Sequence, residues 1–355
     1  MEVSQTERNH SVARVSEIDL LRFVAALSVV IFHYSFRGAA AGGRSDISYP
    51  MLVPIFKYGY LGVELFFMIS GFVILMSARN SDPRGFIVSR VVRLYPAFWA
   101  ACTLTAGAIF LFADQRYSVT LRQYLVNMTM LAGFVGVSSI DGVYWSLYIE
   151  IHFYLLVLLV LSIGWIDRMD SLIDGWLVVL VLERLFPSYT VHSVLMLEYA
   201  PYFICGALYY RIYKHGFSMA TGGMFLISWS MCIVQSLLEA AEFSNYYHSP
   251  LDRAVVVALV TSFQLAMLAI SLRVTGWLRR CNWSALGALT YPLYLLHQNI
   301  GFIGFNRWAN SVQTDLIFWG TLIAMLLLAW VVHQFFEKPV GSLLLRGMKR
   351  HKPIR

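Results

Sequence analysis

Arg22 and His33 stand eleven positions apart in a run that otherwise reads as a membrane span, Leu20-Leu21-Arg22-Phe23-Val24-Ala25-Ala26-Leu27-Ser28-Val29-Val30-Ile31-Phe32-His33. A helix turns about 100° and rises about 1.5 Å per residue, so eleven steps leave both side chains on one face, about 16 Å apart. An arginine at the centre of a spanning helix costs on the order of 2.5–3.5 kcal/mol on insertion scales. Lipid will not hold such groups, so a cavity or protein partners must. A guanidinium binds phosphate or a carbonyl oxygen with a rigid fork. An imidazole takes and returns a proton near neutral pH. One face therefore offers an anion hook at one end and a base at the other.

Five further segments combine polar chemistry with apolar surroundings. In Gly62-Val63-Glu64-Leu65-Phe66-Phe67-Met68-Ile69-Ser70-Gly71-Phe72, Ser70-Gly71 suits close helix approach. Glu64 is a buried acid expected to partner Lys57 or Arg37. Arg90 and Arg93 lie at i and i+3 and share a helical face, a doubled guanidinium that suits phosphate groups. Glu150, in Trp145-Ser146-Leu147-Tyr148-Ile149-Glu150, is expected at the depth of His33, where a carboxylate would orient the imidazole. Tyr291, Tyr294 and His297 recur at i, i+3 and i+6 along one side of a helix. Glu337, in Glu337-Lys338-Pro339, could clamp Arg90 or Arg93. The other histidines, His333 among them, read as packing or surface residues. No two histidines have clear metal-ligand spacing, and no metal is expected.

The elements that must position these residues are membrane spans. Of 355 residues, 58% are hydrophobic and 13% charged, where a soluble domain carries about 25% charged. With a mean hydropathy of +0.63, the chain reads as an all-α, polytopic helical bundle rather than a set of soluble domains. About 20 apolar residues cross the hydrocarbon layer. Ten candidate spans result, at about 18–36, 55–77, 95–113, 145–165, 171–187, 195–213, 219–238, 253–273, 286–305 and 314–336. They divide the chain into a polar tail (1–16), one membrane domain (17–340) and a basic tail (341–355). Basic residues gather in the segments on the side of the termini, ending in Arg346, Lys349, Arg350, Lys352 and Arg355, so both termini are expected in the cytoplasm. The net charge of +7 is thereby a matter of topology and lipid contact, not of nucleic acid. Four scattered cysteines read as small hydrophobes.

Taken in order, these segments resemble the acyltransferase 3 family of integral-membrane acyltransferases. Arg22…His33 is similar to the family's Arg-x10-His motif, and Gly62–Phe72 to its Ser-Gly-Phe segment. Arg90…Arg93…Pro96 resembles its Arg-x-x-Arg turn, and Trp145-Ser146-Leu147…Glu150 its Trp-Ser-Leu-x-x-Glu stretch. Tyr291-Pro292-Leu293-Tyr294-Leu295-Leu296-His297 resembles the penultimate helix, and Glu337-Lys338-Pro339 the ending. There are departures: Glu64 stands where Asp is frequent, Ser89 replaces the first of an Arg doublet, and Ile151-His152 replaces a frequent Glu-Gln. Glu150 is then the only acid of its segment. The resemblance implies the standalone form, without the SGNH hydrolase-like domain some relatives carry.

The resemblance implies transfer of an acyl group, usually acetyl, from cytoplasmic acetyl-CoA or another acyl-CoA. The acceptor would be a hydroxyl of a carbohydrate or other envelope or secreted molecule. The acyl-CoA is a co-substrate, and no tightly bound cofactor is expected. The expected location is the cell inner membrane, in contact with its lipid bilayer. Arg90, Arg93, Arg22 and Ser70 would bind the donor, His33 would deprotonate the acceptor with Glu150 orienting it, and Tyr291, Tyr294 or Ser70 would donate to the oxyanion. His297 and Glu64 complete the candidate substrate groups. The competing readings are a transporter or flippase of glycolipid or polyisoprenoid-linked material, gated by Arg22 and His33, and a membrane sensor or scaffold. Inverted repeats would favour a transporter, and none is visible.

Overall fold

The computed structural model describes residues 15–350 apart from 42 and 113, with the side chains of 349 and 350 left aside. Most of the expected N-terminal tail (1–14) and residues 351–355 of the basic tail lie outside the described residues. Among those described, the chain forms helices and turns and no strand. The long helices are α1 (Ser16–Ala40), α2 (Gly62–Ala78), α3 (Pro83–Phe112), α4 (Trp145–Ser162), α5 (Met169–Leu185), α6 (Ala200–His215), α7 (Met219–Tyr246), α8 (Arg253–Ser271), α9 (Ser284–Trp308), α10 (Thr314–Val332) and α11 (Lys338–Arg350).

Local signals explain where several of them start. Ser218 accepts a bond from the Thr221 N–H and Asp252 one from the Ala254 N–H, capping α7 and α8. Pro83 opens α3, where its missing N–H costs nothing. Glu17 and Asp19 in the first turn of α1 suit the positive end of the helix dipole. Glu17 is also tied to Arg279 at 2.7 Å, joining the start of α1 to the turn before α9.

The centre of the bundle is built from α1, α2, α6 and α9. The tightest crossing is α2 on α6. A Cβ added to Gly206 would lie 1.9 Å from the Met68 carbonyl oxygen, and one added to Gly71 would lie 2.2 Å from that of Phe203. Only hydrogen fits at either position, so the backbones touch through both glycines. This is the close approach expected of Ser70-Gly71, and Gly206 is its counterpart.

Each of the ten expected spans contains a helix. Seven segments are long and apolar enough to cross a membrane by length and composition, and α5, α6 and α9 do not join them. The reason is physical. α6 has 16 residues, nearly all buried by neighbouring helices. α5 carries Asp170 and Asp174, paired with Arg79 at 2.6 Å and Arg211 at 3.0 Å. α9 has 25 residues, but Thr290, His297, Gln298 and Asn299 are buried along it. A helix wrapped in protein need not be apolar, so hydropathy misses α6 and α9 although it finds α1 and α2, which are equally central.

The last departure from regular geometry falls on His33. Residues His33–Arg37 make a π turn in which the Gly38 N–H reaches the His33 carbonyl. A second π turn, His333–Glu337, joins α10 to α11. Such turns insert an extra residue per turn and occur often at functional sites.

Candidate active site

Three cavities lie in series along the face of α1 that carries Arg22 and His33. The first, of about 410 Å³, lies near the start of α1 and is lined by Asp19, Arg22, Ser77 and Arg93. The second is a neck of about 80 Å³, lined by Arg22, Arg93, Ser70, Glu150, Tyr291 and Tyr294. The third, of about 840 Å³, is lined by His33, Arg37, Glu64 and Tyr294 with an aromatic wall. Arg22 and Arg93 border the first two, and Val63, Phe67 and Tyr294 border the last two. The helical spacing of Arg22 and His33 thus becomes two ends of one path.

At the first end, neither Arg22 nor Arg93 makes a hydrogen bond or ion pair with a described residue. Two guanidiniums facing a cavity without direct partners demand an anion or water. Arg90 behaves differently. Its Nη2 donates to Ser77 Oγ at 3.2 Å, its Nε to Ser89 Oγ at 3.2 Å, and its guanidinium lies over the rings of Phe86 and Tyr154. Its Nη1 is buried without a partner. Arg90 packs the seam between α2, α3 and α4, while Arg93 borders the cavities. Glu337 does not clamp this pair as expected. It accepts from His333 Nδ1 at 2.7 Å, an i,i+4 pair on one helical face.

At the neck, Ser70 Oγ donates to Glu150 Oε1 at 3.1 Å and the Tyr154 hydroxyl donates to the same oxygen. Tyr291 Oη is buried and unpartnered among the described residues. Tyr294 is already engaged, donating to the Val143 carbonyl at 3.1 Å and lying 2.7 Å from Ser146 Oγ. Of the two tyrosines expected to meet a developing oxyanion, Tyr291 is the one with a free hydroxyl.

At the far end, the partners of His33 settle its tautomer. Nδ1 lies 2.7 Å from the Val29 carbonyl, so it carries the proton and donates. Nε2 then keeps its lone pair, and Arg37 Nη1 donates to it at 3.1 Å. His297 stands behind, with its Nε2 3.2 Å from His33 Nδ1 and its own Nδ1 2.8 Å from the Tyr294 carbonyl. Assigned this way, the one Nδ1 proton of His33 is shared between the Val29 carbonyl and His297 Nε2, while His297 Nδ1 donates to the Tyr294 carbonyl. Arg37 is fixed in turn by Gln298 Oε1 at 2.5 Å and by the Tyr247 hydroxyl at 3.1 Å.

This corrects the expected role of Glu150 toward His33. The imidazole is oriented by a backbone carbonyl and His297, and Glu150 faces the neck among Ser70 and the arginines. Equal depth read from two separate spans did not imply contact. Glu64 likewise pairs with neither Lys57 nor Arg37. Its Oε2 accepts from Ser236 at 2.6 Å, whereas Lys57 donates to the Pro250 carbonyl at 2.6 Å. Sequence reading missed Arg37 and Gln298 as site residues. Arg37 was within reach of it, since position i+4 from His33 shares its helical face.

A family model described as an acyltransferase domain matches residues 15–334. The chain belongs to the acyltransferase 3 family. Among its relatives, nodulation protein 10 of Rhizobium leguminosarum bv. viciae is 31% identical over 176 residues, covering 43% of this acyltransferase 3 chain and 46% of the relative. A Bacillus subtilis (strain 168) protein provisionally named a peptidoglycan O-acetyltransferase is 25% identical over 386 positions, covering 94% of this chain and 56% of its own length. An acyltransferase of Streptomyces mycarofaciens is 28% identical over 157 residues, covering 41% of this chain and 38% of its own. The acyltransferase 3 chain spans about half the length of these relatives. No solved structure matches it. Family and helices together make it a multi-pass, all-α membrane protein.

Proposed function

We propose that this chain moves an acyl group, usually acetyl, from an acyl-CoA to a hydroxyl of a sugar-containing or other envelope or secreted acceptor. The observation that carries the reading is the path itself, with guanidiniums that no described residue pairs at one end and a proton acceptor of fixed tautomer at the other. Arg22 and Arg93 bind the anionic groups of the coenzyme at the end that the basic residues assign to the cytoplasm. The pantetheine arm is a thin chain, and it threads the neck past Ser70, Glu150 and Tyr291. The thioester is thereby delivered toward the large cavity, where the acceptor waits. The membrane concerned is the plasma, or inner, membrane.

In the resting network the lone pair of His33 Nε2 accepts from Arg37. An acceptor hydroxyl enters by replacing that N–H. His33 Nε2 then takes the hydroxyl proton as the oxygen attacks the thioester carbonyl carbon. Tyr291 donates to the oxyanion. Collapse of the tetrahedral intermediate breaks the C–S bond. The departing thiolate recovers the proton from His33, so ester and free coenzyme A leave in balance. Among the described residues the ring nitrogens of His297 meet His33 and backbone carbonyls, and it acts as a positioning residue. The step is direct transfer, since the path needs no second covalent carrier.

Purified protein in lipid nanodiscs, given labelled acetyl-CoA and a panel of envelope glycans, tests the reading. Label should pass to a glycan hydroxyl. Absence of both thioester consumption and transfer across a broad panel would contradict it.

A further inference from the structure

The large cavity beyond the neck carries more acid than the acyl-transfer step uses. Glu64, Glu198, Glu239 and Glu242 all border it. The single guanidinium there, Arg37, is already bonded to His33, Gln298 and Tyr247. One polar atom of this wall, Tyr60 Oη, is buried without a partner among the described residues, and the carboxyl groups of Glu64 and Glu239 lie within hydrogen-bond reach of each other. Glu64 is 3% exposed and Tyr60 6%. A buried polar atom left unmade costs roughly 1–3 kcal/mol, so Tyr60 Oη awaits a partner that the protein does not supply, and the adjoining carboxyl pair calls for a shared proton or a cation.

The chemistry of that missing partner can be narrowed. Among the described residues no three acidic, histidine or cysteine side chains are gathered closely enough to hold a metal ion. The carboxyl groups border a cavity of about 840 Å³, a volume that suits a small organic ligand. The wall between them is aromatic. Tyr60 lies 4.4 Å from Phe243, and Phe243 lies 5.5 Å from Tyr247, ring centre to centre. Ring faces and carboxylates together favour an organic ammonium. They disfavour an acceptor carrying phosphate or carboxylate at this end.

Taking the proposed acyl transfer as the cavity's purpose, we infer that its acceptor bears a basic amine as well as the reacting hydroxyl. An unsubstituted amino sugar or another amine-bearing polyol has this chemistry. The ammonium sits among Glu64, Glu198 and Glu239, against the Tyr60–Phe243 wall. His33 borders the same cavity and meets the hydroxyl. The acidic side thus selects which acceptor is held and in which direction its hydroxyl points.

Binding tests this separately from catalysis. The full chain in lipid nanodiscs is titrated with methyl glucosaminide, methyl N-acetylglucosaminide and methyl glucoside, and ligand-induced thermal stabilisation is read. The amine should reach half-saturation at a concentration at least about tenfold lower than either neutral sugar, by the size of a desolvated charge contact. In Glu64→Gln that preference should fall below about threefold. Glu198→Gln, at a partly exposed position, repeats the test where folding is not at risk. Equal half-saturation for the three sugars, or a preference unchanged in both variants, would overturn the inference. Labelled acetyl transfer is measured on the same samples. Amine-selective binding without transfer would contradict the acyl-transfer reading alone, and transfer with indifferent binding would contradict the amine site alone.

Discussion

His33 is held so that one ring nitrogen is spent and the other is offered. The Val29 carbonyl takes the Nδ1 proton and His297 stands behind the ring, which leaves Nε2 toward the large cavity. Replacing His297 by Ala removes a support without removing the base. The turnover rate should fall on the order of tenfold while the affinity for acyl-CoA stays unchanged. Steady-state kinetics on folded protein separate the two quantities. The arginines divide in a similar way. Arg22→Ala and Arg93→Ala should each weaken coenzyme A binding by roughly ten- to hundredfold, the size of a lost charged hydrogen bond. Arg90→Ala should weaken it far less and lower thermal stability instead, because Arg90 packs between Ser77, Phe86 and Tyr154. Coenzyme A titrations and melting curves on the three variants check this. Sequence spacing alone put Arg22 and His33 on one face, since a helix fixes that relation locally. It could not pair His33 with His297, 264 positions away, nor keep Glu150 from His33, because both depend on how separate helices turn toward each other.

At the scale of elements, two glycines and a π turn place the site. The α2–α6 crossing passes through Gly71 and Gly206 with no room for a methyl group. α2 carries Glu64 and Ser70, so any separation of this pair widens the cavities. Gly206→Ala should therefore destabilise the protein by about 1–3 kcal/mol or more, because the clash is with backbone that cannot rotate away. Thermal unfolding in detergent, followed by circular dichroism, gives the shift. The Ser70-Gly71 approach was legible because small residues in an apolar helix have few other uses. The π turn at His33–Arg37 left no mark in the sequence, where the run reads as ordinary helix. That turn carries both His33 and Arg37, whose i,i+4 spacing alone puts them on one face. Capping by Ser218 and Asp252 shows the opposite case, a helix start written in one residue.

For the whole molecule, hydropathy located each helix but not its role. The segments that pass as spans by length and composition pack against others, above all α6 and α9, that are short or polar because protein shields them. The class of the chain was legible from composition, whereas the order of cavities was not. Sidedness is open to a direct check. Cys102, Cys205 and Cys232 are buried, and Cys281 is exposed. Cys281 follows Arg279, which is bonded to Glu17 at the start of α1, so it reports the end of the bundle at which the path begins. A membrane-impermeant thiol reagent should label Cys281 in inside-out vesicles and leave it unlabelled in intact cells. Labelling from outside would reverse the path and move the arginines away from the cytoplasmic coenzyme.

The account as a whole rests on His33 Nε2 taking the acceptor proton at the far end of that path. Transfer of label from acetyl-CoA, compared between the unaltered protein and a folded, membrane-inserted His33→Ala variant, tests this most directly. The account predicts a loss of about 10²–10⁴-fold, the contribution of a positioned general base, with coenzyme A affinity retained. A folded variant that transfers label at the full rate would contradict it.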